Sequence, residues 1–130
     1  MILLDTDICI EILRGNEKVL EKRAQTDDST AISFMSIAEL YYGAEKSSKS
    51  LNNRHLIEEF LLTIDIIHTD LSILKQFGSL KKQLHDNQQI LPDADIFVAA
   101  TAYTKAKKLI TGNIKHFDRF PNLIVENWAS

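Results

Sequence analysis

The sequence predicts an α/β fold in which a mainly parallel sheet of five strands carries helices on both faces. Two observations lead to this fold class: short apolar runs of β character recur along the chain, and segments with helical periodicity separate them. Strands that alternate with helices form parallel sheets that are covered on both sides, in three layers. The five predicted strands are Ile2–Leu4, Ala31–Phe34, Ile64–Ile67, Leu109–Thr111 and Leu123–Val125.

The predicted elements follow one another in a regular order. The run Ile2–Leu4 is too short for a buried helix and is typical of a strand covered on both faces. Ile8, Ile12 and Leu13 then give a first helix one apolar face, and the stretch Arg14-Gly15-Asn16 ends this helix. Further helices are predicted around Val19 and Leu20, over Ser36–Glu45, over Asn52–Thr63, after Asp70 as N-cap, and over Ala94–Ala106 behind Pro92.

Length, composition and charge are those of an ordinary globular protein. The 130 residues are 45% hydrophobic and carry a net charge of −3. We expect one domain over residues 1–130, large enough to bury roughly two-thirds of its unfolded surface. The single cysteine, Cys9, excludes an intrachain disulfide and suits a reducing cytosol. Because there is no basic leader and no apolar run of about 18 residues, we expect a cytoplasmic protein.

Acidic residues stand at particular points of this layout. Asp5 ends the first predicted strand, Glu39 lies in the opening turn of the helix after the second, and Asp95 lies in the first turn of the helix before the fourth. Thr111 and Asn113 come at and just after the end of that fourth strand. Since all strands of a parallel sheet end at one edge, these residues can converge there. Close carboxylates repel by roughly 4 kcal/mol per pair at an effective dielectric near 20. Such a cluster therefore protonates or binds a hard cation such as Mg²⁺ or Mn²⁺, which supports phosphodiester hydrolysis.

Each of these acids also has a structural explanation. The spacing from Ser36 to Glu39 matches a capping box, in which Glu39 bonds the Ser36 backbone N–H, and that motif alone favours capping over catalysis. Asp93 after Pro92 and Asp7 after the first strand are both suited to be N-caps. Asp95 continues the inward apolar stripe of its helix and so needs a partner, which the helix N-terminus or a metal would supply.

A local concentration of basic residues surrounds the fourth predicted strand. Most runs of this kind are solvated faces, but this one is expected to flank the acidic edge, where it could hold a polyanion. Its members are Lys105, Lys107, Lys108, Lys115, His116 and Arg119.

Four sequence blocks carry a family resemblance. They are LLDTDICI at 3–10, ISFMSIAELYYGA at 32–44, DADIFVAATA at 93–102, and LITGNIKHF at 109–117 followed by PNL at 121–123. In this order, and over essentially the whole chain, they resemble the acidic motifs and closing block of PIN-domain ribonucleases, specifically VapC-type toxins of type II toxin–antitoxin systems. Four blocks together are highly specific, whereas any one alone would be weak.

The resemblance implies a parallel α/β/α sandwich and an endoribonuclease that depends on Mg²⁺ or Mn²⁺. It also implies a homodimer and neutralisation by a small VapB-type antitoxin encoded beside the toxin, with operator DNA contacted only through the antitoxin. Carried over block by block, the catalytic metal-site carboxylates are Asp5, Glu39 and Asp95. Asp93 is the less favoured member of its pair, and Thr111 is a supporting residue.

The sequence departs from the family pattern at two positions. Asn113 stands where many relatives have aspartate, and an amide can bond a metal-bound water but supplies no charge. Asp7 stands where many relatives carry asparagine and could restore that charge.

Two other classes share part of the pattern. Asp5 and Asp7 after a strand resemble the nucleophile and general acid of haloacid-dehalogenase-like phosphatases. That family expects threonine or valine at Cys9 and an acidic motif after its hydroxyl motif, whereas Asp95 here precedes Thr111. A non-enzymatic, receiver-like signalling domain has a similar length and early acidic pair, but the third strand lacks the phosphoacceptor aspartate at its end. The nuclease interpretation is the best supported of the three.

Overall fold

Five parallel strands form one sheet in the order β3-β2-β1-β4-β5. The computed structural model of the chain describes residues 1–130. The central strand β1 is buried on both faces, with Ile2, Leu3 and Leu4 all 0% exposed. The predicted fold class is therefore confirmed. The strands are β1 (Ile2–Leu4), β2 (Thr30–Ser33), β3 (Asp65–Ile67), β4 (Leu109–Ile110) and β5 (Val125–Glu126).

Helices cover both faces of the sheet and give it two hydrophobic cores. Because neighbouring residues of a strand point to opposite faces, Leu3 belongs to one core, with α5, α6 and α7, while Ile2 and Leu4 belong to the other, with α1 to α4. None of these helices is long and apolar enough to cross a lipid bilayer. The helices are α1 (Thr6–Leu13), α2 (Glu17–Gln25), α3 (Phe34–Lys46), α4 (Ser50–Leu61), α5 (Leu71–Asp86), α6 (Asp93–Lys105) and α7 (Ile114–Phe117).

The element boundaries differ from the predicted ones where polar side chains cap the chain. β2 ends at Ser33 and α3 begins at Phe34, because the Ser33 hydroxyl accepts a hydrogen bond from the Ser36 N–H (3.1 Å) and so caps the helix. Asp70 caps α5 as predicted, accepting from the Ile73 N–H at 3.0 Å. The short helix α7 was not predicted, since its four residues are too few for a periodic signal.

The last predicted strand is displaced by two residues along the chain. Pairing with β4 joins Leu109 to Val125, not to Leu123. Asn122 has a φ of 66°, so the chain turns there before it can extend. Leu123 instead packs against the core on the α5–α6 side.

The carboxyl ends of the strands are where the polar residues gather. Asp5 follows β1, Ser33 ends β2 and Thr111 follows β4, and all three are buried. The backbone N–H of Asp5 donates to the carbonyl of Ile110 at 2.8 Å, which joins the ends of β1 and β4. This edge of the sheet holds the candidate site.

Candidate active site

Asp5 is a buried carboxylate at the end of the central strand. It caps α1, and its Oδ1 accepts from the Thr6 N–H at 2.8 Å. Its Oδ2 accepts from the Thr111 hydroxyl, also at 2.8 Å. Burial and, second, the charge of nearby Asp7 raise the pKa of Asp5 to about 7. Asp5 is therefore held in place by two hydrogen bonds that do not neutralise its charge.

Asp7 lies in the first turn of α1, beside Asp5. Its Oδ2 accepts from the Gly112 N–H at 2.9 Å, while its Oδ1 is buried and has no hydrogen-bond partner. Burial raises the pKa of Asp7 above its ordinary value. The prediction that Asp7 caps the first helix is wrong, because the helix begins at Thr6, before Asp7, and Asp5 is its cap.

Glu39 reaches the same edge from α3. Its Oε1 accepts from the Thr6 hydroxyl at 2.6 Å, and the hydroxyl oxygens of Thr6 and Ser36 are 2.8 Å apart. The capping-box explanation of Glu39 is wrong: the Ser36 N–H is bonded to Ser33, which leaves Glu39 exposed and free of a capping role. Thr6 thus links Glu39 to the cap residue Asp5.

Asp95 lies in the first turn of α6, as predicted, and is paired with a histidine. Its Oδ2 is 2.7 Å from Nδ1 of His116 on α7, and the same nitrogen is 2.9 Å from Nδ2 of Asn113. Asp93 is not the cap of α6, because that position is Pro92 and no side chain caps the helix. Asp93 is instead exposed and paired with Lys81 at 2.9 Å.

Thr111 and Asn113 support these carboxylates from the loop after β4. The Thr111 hydroxyl donates to Asp5, and its oxygen accepts from the Asn113 N–H at 3.0 Å. The predictions about the site therefore missed two residues, Thr6 and His116, as direct partners of Glu39 and Asp95. Thr6 is adjacent to Asp5 in sequence, which was a usable signal, but His116 was assigned to the basic cluster alone.

The donor set suits a divalent cation in its chemistry. Asp5 and Asp7 offer carboxylate oxygens, one of them buried without a donor, and no lysine or arginine pairs with either. No three acidic, histidine or cysteine side chains converge closely enough to bind one ion directly. That arrangement fits an ion such as Mg²⁺, which is bound through one or two carboxylates and keeps several waters. Glu39 and Asp95 lie at the same edge and would hold those waters.

Three members of the predicted basic cluster lie away from this edge. The Lys107 N–H donates to the carbonyl of Met1, and the Lys108 carbonyl accepts from Leu3, both at 3.0 Å, so these lysines lie at the amino ends of the strands. Lys105 ends α6, about 15 Å along the helix axis from Asp95. The prediction that they flank the acidic edge is wrong. These lysines precede β4, and this strand runs from their edge of the sheet to the edge that holds the acidic residues.

The three displaced lysines are also paired with carboxylates. Their ion pairs are Lys105–Asp70 at 2.5 Å, Lys107–Asp28 at 2.8 Å and Lys108–Glu126 at 2.6 Å. Arg119 donates to the carbonyl of Ile90 at 3.4 Å. Lys115, on α7 next to the site loop, is exposed and has no ion pair.

Comparison with known proteins identifies the family. The PIN domain family matches residues 2–123. Ribonuclease VapC2 of Rickettsia felis is 34% identical over 133 residues, which cover 97% of this chain and 96% of the relative. The tRNA(fMet)-specific endonuclease VapC of Shigella flexneri is 28% identical, with 98% of this chain and 97% of the relative covered.

Solved structures agree with the sequence relatives. VapBC2 from R. felis, bound to a DNA fragment from its promoter, contains a chain that matches with a TM-score of 0.91 at 33% identity, over 98% of this chain and 99% of that one. The DNA-bound VapBC from Salmonella typhimurium matches with the same TM-score at 26% identity, over 98% and 97%. These matches span the whole chain and give no support to the phosphatase or receiver alternatives. The chain therefore belongs to the PIN-domain family of divalent-metal-dependent nucleases, among its VapC-type ribonucleases.

Proposed function

We propose that this chain is a Mg²⁺- or Mn²⁺-dependent endoribonuclease that acts as the toxin of a toxin–antitoxin pair. The observation that carries the proposal is the buried carboxylate of Asp5 beside Asp7, at an edge of the sheet where no basic side chain compensates them. Asp5, Glu39 and Asp95 are the proposed metal-site carboxylates. Mg²⁺ and Mn²⁺ suit a site of carboxylate and water oxygens.

The residues of the chain have distinct parts in this function. When bound, a divalent cation supplies an activated water and shields the charge of the phosphate. Thr111 and the Thr6 N–H fix the two oxygens of Asp5, so that the carboxylate does not need to reorganise. The Thr6 hydroxyl orients Glu39, and His116 orients Asp95. Lys115, which is exposed and has no ion pair, would contact the RNA backbone.

RNA cleavage by the purified protein tests this function. Protein freed of antitoxin should cut structured RNA in Mg²⁺ or Mn²⁺, and EDTA should stop it. We would test tRNA first, because the S. flexneri relative is named for tRNA(fMet). Asp5→Asn and Asp95→Asn should each lower cleavage by at least about 100-fold, because each removes a charge without changing shape.

Asp93 offers a matched control for Asp95. It lies two residues away on the same helix, but it is exposed and paired with Lys81. Asp93→Asn should therefore cleave at close to the wild-type rate. Wild-type cleavage by both Asp5→Asn and Asp95→Asn would show that the catalytic site lies elsewhere.

A groove beside Glu39 offers a site for the antitoxin. It lies between α1, α3 and α4, has a volume of about 330 Å³, and is lined by apolar side chains together with polar ones that include Arg14 and Glu39. We propose that the small VapB-type antitoxin encoded beside the gene lies in this groove, and that operator DNA is bound only through it. Gly43 borders the groove, and a Cβ there meets nothing within 4 Å. Gly43→Leu should fill the groove and reduce co-purification of the antitoxin, while Gly78→Ala on α5 should not.

We further propose a cytoplasmic homodimer. A cytoplasmic location agrees with a cellular RNA as the proposed substrate. Apolar side chains on the outer strand β3 and at the start of α5 are exposed to solvent: Ile66 by 38%, Leu71 by 71% and Leu74 by 45%. Such side chains suit a subunit interface. Leu74→Glu should shift the protein from dimer to monomer in sedimentation analysis, and an unchanged mass would place the interface on another surface.

A further inference from the structure

Asp7 has an unsatisfied oxygen at the edge of the proposed metal site. Its Oδ2 is held by the Gly112 N–H at 2.9 Å, whereas its Oδ1 is buried and receives no hydrogen bond. A buried carboxylate oxygen without a donor is unfavourable by itself. A cation, or a water that a cation orders, would satisfy it.

Asn113 lies at the same edge but is already engaged. Its side-chain nitrogen is 2.9 Å from Nδ1 of His116, and its backbone N–H donates to the Thr111 hydroxyl at 3.0 Å. The amide is also neutral. Asn113 lies on the loop after β4, and Asp7 lies on α1. Of these two, only Asp7 has both a charge and an oxygen without a hydrogen-bond partner.

Gly112 makes the position of Asp7 possible. A Cβ at residue 112 would lie 2.7 Å from Asp7 Oδ2, closer than Cβ atoms and oxygens approach in proteins. The backbone of Gly112 is not in the left-handed region, so alanine is compatible with its conformation. The glycine is therefore required for the close approach of the carboxylate and not for a turn.

We propose that Asp7 belongs to the ion-binding carboxylates of this site, that Asn113 does not, and that Gly112 holds Asp7 in place. This inference rests on the proposed metal-dependent function. It assigns the negative charge next to Asp5 to the first turn of α1 and not to the loop after β4.

Calorimetric titration of the purified protein with Mn²⁺ alone tests the assignment, because it measures the affinity for the ion without a measurement of RNA cleavage. Asp7→Asn removes the charge but keeps an oxygen that can accept from the Gly112 N–H. We expect it to weaken Mn²⁺ binding by about 10- to 100-fold. Asp7→Asn combined with Asn113→Asp returns a carboxylate to the same edge, and we expect it to recover most of that loss.

Gly112→Ala gives a second test that leaves every charge in place. The added methyl group should displace the Asp7 carboxylate and weaken Mn²⁺ binding several-fold, whereas Gly78→Ala on α5, where a Cβ meets nothing within 4 Å, should leave it unchanged. Circular dichroism melts would identify an unfolded variant. If Asp7→Asn is unfolded, Gly112→Ala carries the test, and if Gly112→Ala is unfolded, Asp7→Asn carries it.

The outcomes separate this inference from the function on which it rests. If the wild type binds no Mn²⁺, or if Asp5→Asn binds it equally well, the proposed metal site itself is wrong. If Asp5→Asn loses Mn²⁺ but Asp7→Asn and Gly112→Ala bind as the wild type does, the site stands and the assignment of Asp7 is overturned. A loss in Asp7→Asn that the added Asn113→Asp does not restore would contradict only the expectation that a carboxylate on the loop after β4 can replace Asp7, and the assignment of Asp7 itself would stand.

Discussion

The carboxylates of the active-site edge differ from those on the rest of the surface in what faces them. Asp5 and Asp7 are bonded by hydroxyl and backbone N–H donors, and burial raises the pKa of both. Among the carboxylates on the surface, four have pKa values that a bonded lysine Nζ holds below the ordinary range. These are Asp28, Asp70, Asp86 and Glu126, with Lys107, Lys105, Lys82 and Lys108 as their partners.

This contrast shows where the fold leaves negative charge uncompensated. A lysine beside a surface carboxylate satisfies it locally, and such exposed pairs contribute little to stability. At the carboxyl edge of the sheet, Asp5 and Asp7 are kept in place without a cationic partner, so the folded protein without metal carries a buried charge that is unfavourable. Binding of a cation at the proposed site would relieve this unfavourable charge.

Asp5 should make the metal-free protein less stable at high pH. Its pKa is near 3.9 in the unfolded chain and about 7 in the folded one. Its contribution to stability is therefore fully present below pH about 4 and is lost as the pH rises through 7, because the folded state must then carry the buried charge. Urea unfolding in EDTA should give a free energy of unfolding about 3 kcal/mol lower at pH 8 than at pH 5 from this group alone.

The asparagine variant isolates that contribution. Asp5→Asn is neutral at every pH, so its stability should change much less over the same interval, and it should exceed the wild type at pH 8. The paired carboxylates on the surface have lowered pKa values, so their contribution changes only at more acidic pH. An equal pH response of wild type and Asp5→Asn would show that Asp5 ionises normally in the folded protein.

Mg²⁺ should reverse the instability of the wild type. Binding to the folded state alone stabilises by about 2.7 kcal/mol when the free ion is at 100 times its dissociation constant. Asp5→Asn should gain much less under the same conditions. Asp28→Asn removes a carboxylate that is paired with Lys107 on the surface and should keep the full Mg²⁺ response. If the two variants respond alike, the ion is not bound at the sheet edge.

Sequence reasoning predicted the sheet and the convergence of the acids for the same physical reason. Short apolar runs such as Ile2–Leu4 alternate with helices, and in a parallel sheet every strand ends at one edge, so Asp5 and Asp95 lie at the same edge although 90 positions separate them. The partners of these acids were less predictable. Glu39 would cap α3 if the helix began at Ser36. It faces Thr6 instead, because Ser33 caps the helix and α3 therefore begins about one turn earlier.

The basic residues were misplaced for a related reason. Lys107 and Lys115 are close in sequence but lie on opposite sides of β4, so proximity in sequence does not give proximity in space. A strand of two residues is enough to carry the chain from one edge of the sheet to the other. Which carboxylate pairs with each lysine depends on tertiary contacts such as Lys107–Asp28, which join residues distant in sequence.

Thr6→Val should lower turnover by a smaller amount. The substitution keeps the shape of the side chain but removes the hydroxyl that donates to Glu39 at 2.6 Å. A hydrogen bond to a charged group contributes on the order of 1.5 kcal/mol, so we expect about a tenfold lower kcat with little change in KM. Thr104→Val is the matched control, because the Thr104 hydroxyl bonds only carbonyls of its own helix. Wild-type turnover in Thr6→Val would mean that Glu39 needs no positioning.

The smallest expected effect separates the two lysines on either side of β4. Lys115 is exposed beside the site loop without an ion pair, whereas Lys107 is bonded to Asp28 at the amino edge. Lys115→Glu should raise the KM for RNA several-fold and leave kcat nearly unchanged, because the side chain would hold the RNA backbone without touching the reacting atoms. It should also reduce the slope of log KM against log salt by about 0.7, the value of one single-strand phosphate contact.

Lys107→Glu places a second carboxylate beside Asp28 but should leave KM and the salt slope unchanged. If Lys107→Glu alters RNA binding and Lys115→Glu does not, the RNA crosses the amino edge of the sheet. The proposal that RNA is bound at the carboxyl edge, beside the unpaired carboxylates, would then be wrong.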